Sequence, residues 1–266
     1  MLIQITNRCH MECPHCMQES SPDGQHMSDE TFQRVLSFCR EAQPLVVNVT
    51  GGEPTEHPKW LSYSQQLLTI PSVQVLSIIT NGAWIEEPKQ RIAMAKFVRG
   101  AKGRVKVQVY SNPKYYRDHE WTVEHEQQFR SIGCTPDFHS PLFMQDLGRA
   151  RLNCQEEVKA SRFVPSCINS HLMAVQASSL QHFFRMCISA AKFCRPLIDI
   201  NGMVHMSESW RCPAVGNVAD GADRVFREMR QSRPCRGCGL YKNFVELHPR
   251  EAKLLGSEDN RPPLRP

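Results

Sequence analysis

The chain has 266 residues, of which 41% are hydrophobic and 22% charged, so it can bury a sizeable core and has neither a disordered nor a fibrous composition. Its formal charge of +5 is scattered except for Arg250, Lys253, Arg261 and Arg265 near the end, which does not point to nucleic acid as a partner. No stretch approaches the roughly 20 apolar residues of a membrane span and no signal-peptide pattern opens the chain, so no membrane partner and a cytoplasmic location are expected.

The first half alternates short β-branched runs with helical patterns, which predicts βα units around a parallel sheet. Strands are expected at Leu2–Thr6, Val46–Thr50, Val73–Thr80, Val105–Tyr110 and near Thr135–His139. A helix should open at Ser28, an N-cap followed by Asp29 and Glu30 where the helix dipole favours acids. It runs through Phe32, Val35, Leu36 and Cys39 at helical spacing, which makes Cys39 a core thiol. Further helices are expected at His57–Leu68, Pro88–Val98 and Thr122–Ile132. Past Pro196, Ile198, Ile200, Val204 and Met206 alternate around Asn201-Gly202, a hairpin signal. A helical stretch at Ala222–Arg230 and the run Cys235-Arg236-Gly237-Cys238 follow. The boundary is placed near residue 185, giving units 1–185 and 186–250 and a polar, Pro-rich tail, 251–266, that is expected to be disordered.

Twelve cysteines in a reducing compartment are not expected to form a disulfide framework, and the clustered ones read as metal ligands; Cys134, Cys154 and Cys167 have no partner at ligand spacing and read as structural or unassigned. Cys9, Cys13 and Cys16 fall within eight residues just after the first strand. Three thiolates can wrap a four-iron cluster while leaving one iron open. A structural zinc, closed by His10 or His15, is the competing reading of this loop. In a parallel βα architecture the loops after the strands share one face, so 9–16, 51–54, 80–82 and 111–112 should converge on one mouth. The glycines there let backbone approach a ligand, and Glu53 is an acceptor suited to an ammonium group.

These segments resemble the radical S-adenosylmethionine (SAM) superfamily. The cysteine spacing is similar to its CxxxCxxC signature. Gly51-Gly52-Glu53-Pro54 matches the GGEP element that contacts the amino group of SAM's methionine, and Thr80-Asn81-Gly82 matches the TNG element. Ser111-Asn112 lies where relatives hold SAM's ribose or carboxylate, and Gly148-Arg149-Ala150 matches a GRA element. The resemblance implies a partial (βα)6 barrel in an α/β fold, with a [4Fe-4S] cluster on Cys9, Cys13 and Cys16. It also implies cofactor contacts from Gly51, Gly52, Glu53, Thr80, Asn81, Ser111 and Arg149.

Cys194, Cys212, Cys235 and Cys238 flank the hairpin and its following helix. Together with Gly216-Asn217-Val218 they resemble the SPASM and Twitch extensions of that superfamily, a small α+β domain. Four thiolates suit a second, auxiliary [4Fe-4S] cluster or a structural zinc, and Cys187 could replace one of the four. Nine residues separate Gly202 from Cys212 where the family has about four, and only two cysteines follow, so one auxiliary cluster is expected rather than two.

The resemblance further implies reductive cleavage of SAM to a 5′-deoxyadenosyl radical that abstracts a hydrogen from a peptide or small-molecule substrate. Oxidation or cross-linking is the expected outcome, with an electron donor such as flavodoxin or ferredoxin; no catalytic side chain is assigned. The alternative from another class is a zinc-dependent module, with RNA as its partner and both cysteine sets structural.

Overall fold

A computed structural model describes residues 1–112, 114–116, 121–138, 148–156, 166–189, 196–206, 214–232 and 249–254. The chain forms two compact units. One comprises Leu2–Asp29 and Val46–Ser161; the other comprises Met1, Glu30–Leu45 and Arg162–Pro266.

The first unit is built on five parallel strands in the order β5-β4-β3-β2-β1: β1 (Leu2–Thr6), β2 (Val46–Gly51), β3 (Val75–Thr80), β4 (Val105–Tyr110) and β5 (Thr135–Asp137). Helices α2 (Trp60–Leu68), α3 (Pro88–Gly100) and α4 (Val123–Ile132) connect them, while α1 (Asp29–Ala42) groups with the other unit from Glu30 onwards. The expected strands and helices are all present. Six barrel strands were expected; this unit shows five among its described residues.

Two element boundaries moved for identifiable reasons. The helix expected from His57 begins at Trp60, because Glu53 caps a 3₁₀ turn over Pro54–Glu56 and the His57 ring then accepts from Lys59 N–H at 3.0 Å. In α4, Thr122 lies outside the helix as its N-cap, with its side chain accepting from His125 N–H and the His125 ring accepting from Thr122 N–H.

Strand alternation gives the sheet two unlike faces. Ile3, Ile5, Val47, Val49, Leu76, Ile78, Val107 and Val109 are fully or almost fully buried on one. The other carries Gln4, Asn48, Thr50, Ser77, Lys106 and Gln108, in rows set by the registers Gln4↔Thr50, Asn48↔Ser77 and Ser77↔Lys106. Gln4 is 0% exposed and both ends of its carboxamide lack a hydrogen-bond partner among the described residues, as does the Ser77 hydroxyl. An unpaired buried polar group costs about 1–3 kcal/mol. Gln4→Met is therefore expected to raise stability by about 1 kcal/mol in urea unfolding; a loss instead would mean that the amide makes bonds that stabilise the fold.

In the second unit, α6 (Ser166–Gln176), α7 (Leu180–Ser189), α8 (Ala222–Gln231) and α9 (Pro249–Leu254) accompany the antiparallel set β6 (Leu197–Ile198), β7 (Met203–His205) and β8 (Gly216–Asn217). α5 (Ala150–Asn153) belongs to the first unit. The expected hairpin forms, but its strands are short because Asp199 organises the turn. Its Oδ1 accepts from Asn201 N–H at 2.8 Å and Met203 N–H at 3.0 Å, which takes Ile200 off the ladder. The Gly216-Asn217 element leads into α8 through a capping box between Asn217 and Asp220. Glu41 of α1 binds this unit's other helices, accepting from Ala222 N–H at 2.9 Å and, through its carbonyl, from Gln181 at 3.2 Å. Of the tail expected from 251, residues 251–254 belong to helix α9, and those from 255 lie outside the described residues.

Candidate metal and cofactor site

Every segment singled out in the first unit touches the cysteine loop or a neighbour of it. Cys13 is buried, Cys9 and Cys16 are half-buried, and none of the three is in a disulfide. The loop is pinned at its entry by backbone pairing: Cys9 N–H donates to Ser21 O at 2.9 Å and Asn7 N–H to Gln25 O at 3.0 Å. A tight turn follows, with Cys16 N–H donating to Cys13 O at 3.1 Å.

The Gly51-Gly52-Glu53 backbone extends β2 alongside this entry. Gly52 N–H donates to Thr6 O and Glu53 N–H to Arg8 O, both at 2.8 Å. A Cβ on Gly52 would stand 2.1 Å from Arg8 O and 2.8 Å from Cys9 Cβ, so only glycine permits the approach. The sequence reading assigned these glycines to ligand access; here they give the cysteine loop its place.

Glu53 is 1% exposed and its carboxylate accepts four bonds. Oε1 takes Thr55 N–H at 3.1 Å, the Thr55 hydroxyl at 2.6 Å and the Thr80 hydroxyl at 2.8 Å, while Oε2 takes Asn81 N–H at 2.8 Å. Burial pushes its carboxyl above the ordinary range and these bonds pull it back. Four donors match the roughly four lone-pair positions of a carboxylate, so Glu53 ties the ends of β2 and β3 together as well as standing at the mouth. Asn81 extends the tie: its Oδ1 accepts from Ala83 N–H at 2.9 Å, and its amide nitrogen lies 3.9 Å from Cys9 Sγ, positioned to donate to sulfur.

Arg149 closes the other end of the loop. Its Nε donates to Cys13 O at 3.0 Å, its Nη2 to Ser20 O at 2.8 Å, and its backbone N–H to Cys16 O at 2.9 Å. Gly148 precedes it at φ +52°, where a Cβ would stand 2.6 Å from Cys16 O. Asn153 of α5 adds a bond to Pro14 O at 3.1 Å. The GRA element thus grips the carbonyls of the cysteine loop. Each charge-assisted bond is worth about 1.5–3 kcal/mol when buried; Arg149 is half-buried, and we count only the lower end. Arg149→Ala is expected to speed amide hydrogen exchange across residues 13–21 at least about tenfold, with only partial rescue by Arg149→Lys, which lacks the fork. Unchanged exchange would remove Arg149 from this role.

Ser111 is fully buried, its hydroxyl has no partner among the described residues, and its N–H donates to Asp137 O at 3.4 Å. Beyond it, Asn112 O accepts from Tyr115 and Tyr116 N–H, setting both rings against His15. The Tyr116 phenol is raised by burial and then by the neighbouring Cys13, Cys16, Glu53 and Cys9 groups, so this ring belongs to the site. Sequence reasoning missed it; an aromatic pair after the fourth strand was the available signal. Neither histidine of the loop is directed to a fourth-ligand role by its bonds. His10 Nδ1 lies 2.6 Å from Glu56, and His15 Nδ1 lies 3.2 Å from Tyr115 O, with burial lowering His15 to about 4.

The second cysteine set is not brought into view. Cys194, Cys212, Cys235 and Cys238 lie outside the described residues, and Cys187 is described only in its backbone. Cys39, Cys134 and Cys154 are buried. No helix among the described residues is long and apolar enough to cross a membrane.

On the parallel sheet, a three-thiol loop is held by the Gly52-Glu53 backbone after β2, by the Asn81 side chain after β3 and by Arg149 ahead of α5. Residues 3–132, just under half of the chain, match the model of the Radical SAM superfamily. That family implies a [4Fe-4S] cluster on three cysteines together with SAM, and the donor set of the matched segment fits: three thiols outside any disulfide, with the Asn81 amide aimed at one sulfur.

Among curated relatives, the GTP 3′,8-cyclase of Desulforamulus reducens is 26% identical over 135 residues, covering 49% of this chain and 40% of that one. The PqqA peptide cyclase of Bradyrhizobium diazoefficiens is 37% identical over 57 residues, covering 21% of this chain and 15% of that one. The chain thus spans well under two thirds of the length of these relatives. Among solved structures, BtrN in complex with AdoMet and 2-DOIA is similar at a TM-score of 0.50 and 13% identity, covering 86% of this chain and 84% of that one. Native anSMEcpe with bound AdoMet gives a TM-score of 0.50 at 12% identity, over 97% and 99%. Streptococcus suis SuiB bound to precursor peptide SuiA gives 0.50 at 12%, over 91% and 69%. These structures share the α/β fold.

Proposed function

We propose that the protein is a radical SAM enzyme acting on a peptide or polar small-molecule substrate by oxidation or cross-linking, in the cytoplasm, with flavodoxin or ferredoxin as electron donor. The observation that carries this is the grip of two strand-end elements, Gly51-Glu53 and Asn81, and of Arg149 ahead of α5 on the loop of Cys9, Cys13 and Cys16. The cluster on those thiolates, when bound, supplies the electron that cleaves SAM to methionine and a 5′-deoxyadenosyl radical.

The chain's own residues hold and orient. Gly51, Gly52 and Glu53 receive SAM's methionine ammonium, for which the rotatable Thr55 hydroxyl can release a lone pair of the Glu53 carboxylate. Ser111, whose hydroxyl has no partner among the described residues, receives the ribose or carboxylate, and Thr80 and Asn81 set the wall between. Arg149 acts on SAM indirectly, by fixing the loop. The polar sheet face with Gln4, Thr50, Ser77 and Gln108 suits a substrate rich in hydrogen-bonding groups. Residues 1–185 form the SAM-binding part and 186–250 a Twitch-like part, in which Cys194, Cys212, Cys235 and Cys238 hold an auxiliary [4Fe-4S] cluster, with Cys187 in reserve.

Anaerobic reconstitution followed by reductant and SAM tests the reading. Formation of 5′-deoxyadenosine and methionine is expected, with iron in excess of one four-iron cluster per chain. Stoichiometric zinc without iron uptake would refute it in favour of a zinc module.

A further inference from the structure

Two side chains beside the cysteine loop have no part in that reading. His10 is exposed and Glu56 half-buried; with Cys9 they place an imidazole, a carboxylate and a thiol whose ligand atoms all lie within 4.8 Å of one another. Glu56, in the 3₁₀ turn capped by Glu53, meets His10 twice: its Oε1 accepts from the His10 N–H at 3.0 Å and lies 2.6 Å from Nδ1. The Arg8 Nε stands 3.6 Å from Oε2, so one carboxylate oxygen faces a cation and the other faces the imidazole.

We propose that in the cluster-free protein Cys9, His10 and Glu56 bind one divalent ion of the zinc class, and that this ion and the iron-sulfur cluster exclude one another because both need the Cys9 sulfur. The proposal rests on the assignment of Cys9 to the cluster. A sulfur, a nitrogen and an oxygen donor suit a borderline ion such as zinc, and three protein ligands leave a fourth position for water. Bond lengths of about 2.0–2.3 Å put tetrahedral ligand atoms about 3.3–3.8 Å apart. The His10–Glu56 pair must open slightly from 2.6 Å, and any wider spacing must close by about an ångström. On binding, the Cys9 S–H bond breaks and its proton passes to solvent, while sulfur, neutral imidazole and carboxylate each donate a lone pair; no electron is transferred. Arg8 opposes the incoming charge and limits the affinity. The consequence is metal-dependent loading: zinc held here delays cluster assembly.

Chelator-treated full-length protein in which Cys194, Cys212, Cys235 and Cys238 are replaced by serine, so that this set takes no cobalt, tests this when titrated anaerobically with Co2+. One equivalent should bind, with a sulfur-to-cobalt charge-transfer band and tetrahedral d–d bands that zinc reverses. His10→Ala and Glu56→Gln should each weaken binding at least about tenfold, and Glu56→Gln keeps an acceptor for the His10 N–H should the alanine variant misfold. Cys9→Ser should remove the sulfur band, whereas Cys13→Ser and Cys16→Ser should leave it. Zinc preloading should slow iron uptake by the wild type and not by Glu56→Gln. No saturable Co2+ binding overturns the proposal, as does binding that survives both His10→Ala and Glu56→Gln but is lost in Cys13→Ser, which puts the ion on the three-thiol set. Failure of the enzyme reading looks different: zinc-free wild type would then take up no iron, whatever cobalt does.

Discussion

Cys13→Ala is expected to abolish iron-sulfur loading on the N-terminal loop and, with it, formation of 5′-deoxyadenosine from SAM. The fold should survive, because what Cys13 gives the surrounding structure is its backbone: its carbonyl accepts from Arg149 Nε and from Cys16 N–H, and alanine keeps that carbonyl. The side chain contributes a thiol that the nearby His15 does not replace, because its Nδ1 is held by the Tyr115 carbonyl. Two thiolates hold a four-iron cluster too weakly to survive reductant and SAM, so the effect is all-or-none rather than graded. The measurement pairs iron content with chromatography of the nucleoside product, and the wild-type melting temperature checks folding. A Cys13→Ala protein that still makes 5′-deoxyadenosine at a sizeable fraction of the wild-type rate would take Cys13 out of the ligand set.

Much of the first unit could be read from sequence because its signals are local. β1 and β4 have the expected bounds, Leu2–Thr6 and Val105–Tyr110, since β-branched runs bounded by polar residues leave little choice of strand ends. The shared mouth followed from topology, because in a parallel sheet every strand-end loop faces the same way. Side-chain roles were less legible. Glu53 was expected to face a ligand, and Arg149 was grouped with the SAM contacts. Both depend on partners that come close only in the fold: Asn81 is 28 residues from Glu53, and Cys13 is 136 from Arg149. Composition and spacing carry no trace of such pairings. The polar face of the sheet was hidden for a similar reason. Gln4 sits inside the apolar run Leu2-Ile3-Gln4-Ile5, and only the register with Thr50 shows that it belongs to a polar row. In the hairpin, alternation suggested longer strands, but the Asp199 side chain captured two backbone N–H groups and turned the chain early.

The second large effect is expected at Glu53. The sequence alone suggests that Glu53→Ala would weaken SAM binding and leave the barrel folded, at a cost in affinity of about 1.5–3 kcal/mol for a charge-assisted bond. The structure adds a cost in stability. Alanine removes the acceptor of two buried backbone N–H groups, Thr55 and Asn81, and of two hydroxyls, Thr55 and Thr80. Each orphaned N–H costs about 1–3 kcal/mol, so Glu53→Ala is expected to lose about 2–6 kcal/mol in urea unfolding. For a chain of this size that lowers the melting temperature by about 2–4 °C per kcal/mol. Glu53→Gln keeps an acceptor for one of the N–H groups and turns a donor towards the other, so it should fall between wild type and alanine. The loss should also spread, because Asn81 leans on Glu53 and in turn reaches Cys9, so the cysteine loop should exchange amide hydrogens faster in the alanine variant before global unfolding. Two measurements separate the roles: a wild-type urea midpoint in Glu53→Ala would show that the buried ties contribute nothing, and wild-type SAM affinity in a folded Glu53→Gln would show that the carboxylate charge is not what SAM's ammonium meets.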